Sequence, residues 1–223
     1  MRACAGGPKQ YAPLAGRSVV SHTLLALAAV QRLSGTLVVL APGDSSFALH
    51  APGYGGPREW WAACGGATRA DTVAAGLQVL RERGAVDSDW VLVHDAARCL
   101  LQPAWVNRLI DACVDDAVGG LLALPLADTL KTADAHGRVS ATLDRSGKWL
   151  AQTPQMFRLG LLQRALREAA AAGVVITDEA SAIEHLGLAP LLVPGDQENL
   201  KLTWPADFVL AARLLQSRPM ETR

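Results

Sequence analysis

The sequence predicts an α/β protein whose mostly parallel sheet is covered by helices on both faces. Short apolar runs alternate with amphipathic helical patterns along the 223 residues, a rhythm typical of strands joined by helical crossovers. Half of the residues are apolar, so one sizeable core is available. No internal repeat, low-complexity tract or linker divides the chain, and we therefore expect residues 1–223 to form a single domain.

Six short apolar segments are predicted to be strands because turn residues bound them. They are residues 36–41, 60–64, 90–94, 120–126, 191–193 and 200–202. The first is expected to be buried and to end at Pro42-Gly43-Asp44, and residues 90–94 give the clearest strand pattern.

Five segments with helical periodicity separate or follow these strands. They are residues 69–83, 103–116, 159–172, 178–186 and 205–216. Thr68 and Thr177 can cap the first and fourth of them. Gly84 and Gly173 can end the first and third, and Pro103 suits the first turn of the second.

Residues 128–152 break this rhythm. The segment is polar and rich in Thr, and Asp134-Ala135-His136-Gly137 is typical of a turn. Alternating residues on both sides of that turn predict a β-hairpin or a protruding arm.

Charge and cysteine content exclude several classes of function. The 21 Lys and Arg balance the 21 Asp and Glu, so no broad basic field favours a nucleic-acid partner. The cysteines at positions 4, 64, 99 and 113 form no CxxC pair, which disfavours structural zinc and a disulfide framework. No apolar segment is long enough to span a bilayer and none resembles a signal core. We therefore expect a cytoplasmic protein with reduced thiols and no membrane association.

Four polar clusters lie near predicted strand ends, where α/β folds bind ligands. Lys9, beside glycines, suits phosphate binding. The run 65–72 combines two glycines with a helix start, which favours an anion or a base edge. Residues 94–98 follow the clearest strand and carry three ionisable side chains, with small residues that leave room for a ligand. Residues 199–203 place Lys201 and Thr203 on one side. Taken singly, the first cluster is also compatible with an exposed lysine and the second with a plain turn and helix cap, whereas three ionisable residues after a buried strand are hard to explain by packing.

Eight motifs occur in a fixed order: PKQY, GGxxRADTV, HDAAR, DTLK, LDR, QTPQ, TDEAS and NLKLT. Together they resemble the 2-C-methyl-D-erythritol 4-phosphate cytidylyltransferase family of the non-mevalonate isoprenoid pathway. The resemblance implies a Rossmann-like nucleotidyltransferase fold, with a β-arm at residues 128–152 that swaps across a homodimer. It also implies transfer of CMP from CTP to methylerythritol phosphate, with Mg²⁺ bound mainly through the CTP phosphates; no residue is assigned as a metal ligand, and direct metal ligands stay open.

Matching the motifs position by position assigns the site residues that this resemblance implies. The catalytic side chains would be Lys9, Arg145 and Lys201. The nucleotide would rest on Gly66, Thr72, Asp95 and Ala96. The methylerythritol phosphate side would be lined by Arg98, Thr129, Thr153, Thr177 and Thr203. Of these, the arm residues Thr129 and Arg145 would reach into the partner's site.

The sequence departs from the family pattern at its start. Members open with an apolar strand and a loop of the form AAGxGxRM, and Met1 aligns with the Met that ends this loop. We therefore expect the first, central strand and the loop's catalytic Arg to be absent, with Arg2 in a different position. A late start, a fragment and a true truncation are the open explanations. Smaller departures are Cys99 in place of a Pro and Ala67 in place of an acidic residue.

Two other functions are compatible with these observations. One is a cytidylyltransferase for another polyol phosphate, such as ribitol 5-phosphate. The other is an inactive truncated form, because an empty central position in the sheet would leave ladder groups unpaired.

Overall fold

The computed structural model describes residues 7–218 and has the α/β architecture that the sequence predicts. A single 3-10 turn, Lys9–Tyr11, precedes the first strand. The strands of this part of the chain are β1 (Pro13–Leu14), β2 (Arg17–Ser18), β3 (Thr36–Val39), β4 (Glu59–Ala62), β5 (Trp90–Val93), β6 (Gly119–Pro125), β7 (Leu130–Ala133), β8 (Val139–Leu143), β9 (Trp149–Arg158) and β10 (Leu191–Pro194). Its helices are α1 (Val19–Ala28), α2 (Phe47–His50), α3 (Arg69–Glu82), α4 (Pro103–Cys113), α5 (Leu159–Ala171), α6 (Glu179–His185) and α7 (Pro205–Ser217).

The larger sheet has the strand order β10-β6-β9-β5. β10 runs parallel to β6, whereas β9 runs antiparallel to both β6 and β5. The strands β5, β6 and β10 therefore point the same way, and their carboxyl ends meet at one edge. β9 is the exception because the chain enters it directly from the hairpin instead of through a helical crossover.

Helices cover this sheet on both faces. Met156 and Phe157 are consecutive in β9 and point to opposite sides. Met156 packs with α4 in one buried cluster. Phe157 packs with α5, α6 and Leu77 of α3 in another. The core is therefore split into two apolar layers by the sheet.

A second, two-stranded parallel sheet pairs β3 with β4. Helix α3 joins it to the larger sheet, because a Cβ at Gly76 would lie 2.8 Å from Val39 Cγ2 while Leu77 packs against the larger sheet. Helix α1 also links the two, through Leu24 packed near Val38 and the Thr23 hydroxyl, which donates to the Ala96 carbonyl at 2.8 Å.

The burial of β3 differs from the prediction. Its residues are half-buried, and so are those of β5, whereas residues 119–123 of β6 are buried. Within residues 7–218, β3 pairs with β4 alone and β5 with β9 alone, so one edge of each strand lacks a strand neighbour there. The expectation that the family's first strand and catalytic loop Arg are absent depends on the alignment of Met1 and Arg2. Both residues lie outside the described part of the chain.

The structure corrects two further predictions and adds two helices, α1 and the short α2. Residues 200–202 do not form a strand, because side chains and a loop hold their backbone instead of a neighbouring strand. The cap of α6 is Asp178 and not Thr177: the Asp178 carboxylate accepts from the Ser181 amide at 3.0 Å. Helix α1 was not predicted, since its mostly apolar sequence shows no polar face.

The hairpin at residues 128–152 is confirmed. β7 and β8 pair antiparallel, and Asp134 Oδ1 accepts from the amides of His136 and Arg138 at 2.9 Å each, which closes the predicted turn. Both strands are largely exposed and, within the described chain, hydrogen-bond to no other strand. The last residues of the predicted segment belong to β9, which begins at Trp149, so Gln152 is a buried sheet residue.

Across residues 7–218, no helix combines the length and the apolar character that crossing a membrane requires.

Candidate active site

The backbone that follows β5 is fixed at the carboxyl edge of the sheet. The Asp95 amide donates to Thr153 Oγ1 of β9 at 3.1 Å, and the same oxygen lies 3.0 Å from His94 Nδ1. His94 Nε2 lies 3.2 Å from the Arg98 carbonyl oxygen. A carbonyl can only accept, so Nε2 carries the proton and Nδ1 accepts from the Thr153 hydroxyl. Burial lowers the pKa of His94 to about 4, which keeps the ring neutral at pH 7.

Asp95 presents its carboxylate beyond this edge between two cations. Lys201 Nζ lies 2.7 Å from Oδ2 and Arg69 Nε lies 3.0 Å from Oδ1. Burial acting alone would raise the pKa of Asp95, but the two cations outweigh it and hold the pKa at about 2. Asp95 is therefore an ionised acceptor at neutral pH.

Arg69 extends the cluster into the protein. Its two terminal nitrogens pair with the two oxygens of Glu179 at 2.5 and 2.9 Å. Glu179 is 1% exposed, and burial raises its pKa while Arg69 opposes that rise. Sequence reasoning missed both residues as members of the site. Their only signal was their presence inside the motifs GGxxRADTV and TDEAS.

The segment 199–203 carries Lys201 and accepts a hydrogen bond from Lys9. The Leu202 amide donates to the Ala97 carbonyl at 2.8 Å, and Lys9 Nζ donates to the Leu202 carbonyl at 2.8 Å. Lys9 is 7% exposed and makes no ion pair with residues 7–218. Leu202 points inwards, whereas Lys201 and Thr203 are exposed on the outer side as predicted.

Arg98 clamps this segment to the sheet. Its terminal nitrogens donate to the carbonyls of Asn199 and Ala151 at 2.6 and 3.2 Å, and burial lowers its pKa. Its Nε is buried and has no hydrogen-bond partner within the described residues. The substrate contact assigned to Arg98 stays a prediction, since both of its terminal nitrogens donate to backbone carbonyls here.

The glycine pair after β4 forms a tight cradle at the start of α3. The Gly66 amide donates to Thr72 Oγ1 at 3.1 Å, and the Thr72 hydroxyl donates to the Thr68 carbonyl at 2.9 Å. A Cβ at Gly66 would lie 2.3 Å from Asp71 Cβ, and one at Gly65 would lie 2.9 Å from the Leu40 carbonyl oxygen. The predicted Thr68 cap is confirmed as a capping box with Asp71.

Hydrogen bonds and ion pairs join only part of the predicted set. They connect Lys9, Asp95, Arg98, Thr153, Lys201 and Thr203 through the edge of β5 and the segment 199–203. Ala96 is half-buried beside them, and Thr177 is exposed just before α6. Thr129 and Arg145 are exposed on the hairpin, and within residues 7–218 no hydrogen bond or ion pair links them to Asp95.

Lysine and arginine side chains thus gather around one carboxylate at the carboxyl ends of parallel strands, next to a glycine-lined helix start. An α/β fold with such an edge suits a nucleotidyltransferase. The family model described as "IspD: 2-C-methyl-D-erythritol 4-phosphate cytidylyltransferase" matches residues 1–217. The chain belongs to this cytidylyltransferase family.

Relatives and solved structures agree with this assignment. The chain is 57% identical over 217 residues to a "Bifunctional enzyme IspD/IspF" of Albidiferax ferrireducens, covering 97% of this chain and 50% of the relative. It is 54% identical over 208 residues to the 2-C-methyl-D-erythritol 4-phosphate cytidylyltransferase of Bordetella pertussis, covering 93% and 88%.

A crystal structure of 4-diphosphocytidyl-2C-methyl-D-erythritol synthase superimposes with a TM-score of 0.85 at 45% identity, covering 93% of this chain and 95% of that one. The 2-C-methyl-D-erythritol 4-phosphate cytidylyltransferase of Thermus thermophilus gives a TM-score of 0.78 at 31% identity, covering 95% of both chains. The Rossmann-like nucleotidyltransferase fold is therefore confirmed.

Proposed function

We propose that this chain transfers the CMP moiety of CTP to 2-C-methyl-D-erythritol 4-phosphate, giving CDP-methylerythritol and pyrophosphate for isoprenoid precursor synthesis. The observation that carries the proposal is the set of cations around Asp95 in a chain of this family. The family match and the names of the relatives favour methylerythritol phosphate over ribitol 5-phosphate as the acceptor.

The chemistry requires positioning and charge stabilisation rather than a general base. A phosphate oxygen of the acceptor is already negatively charged, and it attacks the α-phosphorus of CTP in line while pyrophosphate leaves. Repulsion between the two anions and the charge that builds up in the transition state are the obstacles. Fixed cations at the edge of the sheet address both.

On the nucleotide side, CTP rests on the cradle of Gly66 and Thr72 and packs against Ala96. The start of α3 directs free backbone amides towards an anion or a base edge. Lys9 neutralises the triphosphate. Its ammonium has three donors, and the bond to Leu202 uses one of them.

On the acceptor side, Lys201 binds the phosphate of methylerythritol phosphate. Asp95, assigned to the nucleotide, lies between Arg69 and Lys201 and accepts from a hydroxyl of a bound ligand. Asp95 is ionised at neutral pH, and its ion pair with Lys201 fixes both side chains. Arg98 and the hydroxyls of Thr177 and Thr203 line the same side. Thr153 acts through the Asp95 backbone, which its hydroxyl holds in place.

Mg²⁺ belongs to the proposal as an ion carried by the CTP phosphates. Within residues 7–218, no group of three His, Cys, Asp or Glu side chains converges to hold a metal, and two cations already engage the Asp95 carboxylate. These residues do not fit a metal site built by protein ligands.

The proposal includes a homodimer in which the hairpin carries Thr129 and Arg145 to the partner's site, where Arg145 grips the acceptor phosphate. Support comes from the exposure of β7 and β8. It also includes a cytoplasmic location. The free thiols of Cys64, Cys99 and Cys113 agree with a reducing compartment.

The test is pyrophosphate release from CTP and Mg²⁺ with methylerythritol phosphate or ribitol 5-phosphate as acceptor. The assay uses a chimera that carries a relative's AAGxGxRM-type segment ahead of PKQY, and we expect robust turnover with methylerythritol phosphate. Equal turnover with ribitol 5-phosphate would move the assignment to the other acceptor.

A further inference from the structure

Glu179 is the most deeply buried charged group near the site, and the proposed reaction gives it no ligand. It is 1% exposed, and both of its oxygens are taken by Arg69. The desolvation cost of so deep a charge is large compared with the attraction it gains. A gain in stability is therefore a weak reason for this ion pair, and its place beside the site points to a role there.

The guanidinium of Arg69 connects Glu179 to Asp95. A guanidinium is planar and rigid, so fixing its two terminal nitrogens also fixes the direction of Nε. That third nitrogen lies 3.0 Å from Asp95 Oδ1, while Lys201 lies 2.7 Å from Oδ2. Each oxygen of Asp95 thus has one cation, and the two cations do not compete.

The same side chain joins two helix starts. Arg69 is the first residue of α3, next to the nucleotide cradle, and Glu179 is the first residue of α6, two residues after Thr177. One guanidinium therefore holds the nucleotide side and the acceptor side of the site in a fixed relation.

We propose that Arg69, anchored by Glu179, is a positioning residue: it fixes the plane of the Asp95 carboxylate and leaves Lys201 on the other oxygen, directed at the acceptor. The inference rests on the proposed function, which assigns Asp95 and Lys201 to ligand binding. It assigns roles to two side chains that make no proposed contact with CTP or with the acceptor.

Arg69→Lys separates charge from geometry. The lysine keeps the positive charge but has a single nitrogen, which cannot bridge both carboxylates. We expect this lysine to pair with Glu179 and not with Asp95, because Glu179 is the more deeply buried carboxylate and leaving it unpaired would cost more free energy. Asp95 would then keep Lys201 alone as a direct partner.

The first readout is the titration of Asp95 in the ligand-free protein, followed by ¹³C NMR of its carboxyl carbon between about pH 7 and pH 3. The charged or titratable groups that face it are Arg69 on α3, Glu179 on α6, Lys201 in the segment 199–203, and His94 and Arg98 in its own loop. In the unaltered protein Asp95 should stay ionised throughout, since its pKa is about 2.

In Arg69→Lys the Asp95 midpoint should rise by about one pH unit or more and enter this range. In Glu179→Gln it should not rise, because Arg69 keeps its charge beside Asp95 and loses its competing partner. A residue that only held the fold together would not produce this pattern. An unchanged midpoint in Arg69→Lys overturns the proposal.

The second readout is kinetic, and it uses the chimera described under the proposed function. Arg69→Lys and Glu179→Gln should each lower kcat about fivefold or more, with the KM for CTP within about threefold of the unaltered value. Glu184→Gln makes the same change on the exposed side of α6, and Ile183→Val weakens the buried side. Both should leave kcat within about twofold.

A kcat reduction smaller than about fivefold in Glu179→Gln overturns the proposal, even if Arg69→Lys fails to fold. If the chimera without a further substitution does not turn over CTP, the proposed function fails, and the Asp95 titration still decides the positioning role.

Discussion

Gly66 is the residue at which the nucleotide cradle tolerates least change. A Cβ there would lie 2.3 Å from Asp71 Cβ and 3.1 Å from the Asp71 carbonyl carbon. Gly66→Ala should push the loop away from α3 and break the amide bond to Thr72. Overpacking of this kind costs about 1–3 kcal/mol, so we expect CTP affinity to fall about tenfold, as measured by calorimetry.

Gly56→Ala is the matched control for this substitution. Its Cβ would meet Glu59 Oε2 at 3.5 Å, an ordinary contact, so CTP affinity should stay within about twofold. Unchanged CTP binding in Gly66→Ala would show that the nucleotide does not use this cradle.

At the scale of single residues, sequence reasoning identified residues of the site but not the hydrogen-bond partners of their side chains. The motif HDAAR identified Arg98, yet two of its nitrogens bind the carbonyls of Asn199 and Ala151. Thr153 was assigned to the substrate, and its hydroxyl holds the Asp95 amide. Which donors remain for a ligand depends on tertiary packing, which a motif does not encode.

Among the elements, the hairpin provides a test of the dimer. Its strands are exposed and Arg145 lies in the turn that follows β8. If the hairpin had no role in a site, Arg145→Ala would change stability and activity by no more than about 0.5 kcal/mol. If Arg145 completes the partner's site, the substitution should lower turnover by about 100-fold or more and leave CTP binding nearly intact. Steady-state kinetics and CTP titration measure the two effects.

Mixing this variant with Lys9→Ala shows whether the hairpin acts in its own subunit. Lys9→Ala should also abolish turnover, from the nucleotide side. Random exchange gives mixed dimers, each with one site carrying both substitutions and one carrying neither. Activity should then recover towards about a quarter of the unaltered level, since half of the dimers are mixed. No recovery, with exchange verified separately, would place Arg145 in its own subunit or outside the mechanism.

Element prediction succeeded where a local signal marked the boundary. Thr68 and the glycine after α3 fixed that helix, and the turn at 134–137 fixed the hairpin. Residues 200–202 have a strand-like alternation, but Lys9 and the Ala97 carbonyl bind the backbone of Leu202. Helix α1 was missed because it packs against both sheets and so has too little polar surface to show a helical period.

For the whole molecule, His94 makes stability depend on pH. Its folded pKa is lowered to about 4 from an ordinary 6.5. The unfolded chain therefore binds a proton at higher pH than the folded one, and the stabilising contribution is complete above about pH 6.5 and lost as the pH falls towards about 4. The His94 side chain is only half-buried, so the loss of stability on acidification is smaller than the full pKa difference would give. We expect the free energy of unfolding to be about 1–2 kcal/mol lower at pH 5 than at pH 7.

Urea denaturation at the two pH values measures this difference, and His94→Gln is the comparison. The amide can replace one or both hydrogen bonds of the ring but does not titrate, so its stability should change less between the two pH values. Equal pH dependence in both proteins would assign the acid sensitivity to other groups.

The ion pairs around Asp95 are a feature of the whole fold that the sequence could not predict. Their members lie at positions 69, 95, 179 and 201, on four separate segments. Motif order predicted that these segments belong to one site, because the carboxyl ends of parallel strands meet. It could not show that Arg69 bridges two carboxylates, since that pairing exists only once α3 and α6 are packed.

The exposed hairpin has a consequence for enzyme supply. In the proposed dimer, a lone subunit has a site without its Arg145, so only associated subunits turn over. The active fraction then depends on mass action: below the dissociation constant of the dimer, total activity varies with the square of the enzyme concentration. Halving expression in that regime would cut flux to about a quarter. In the proposed dimer, the exposure of two short strands would thus make the cellular abundance of this protein a determinant of each molecule's activity.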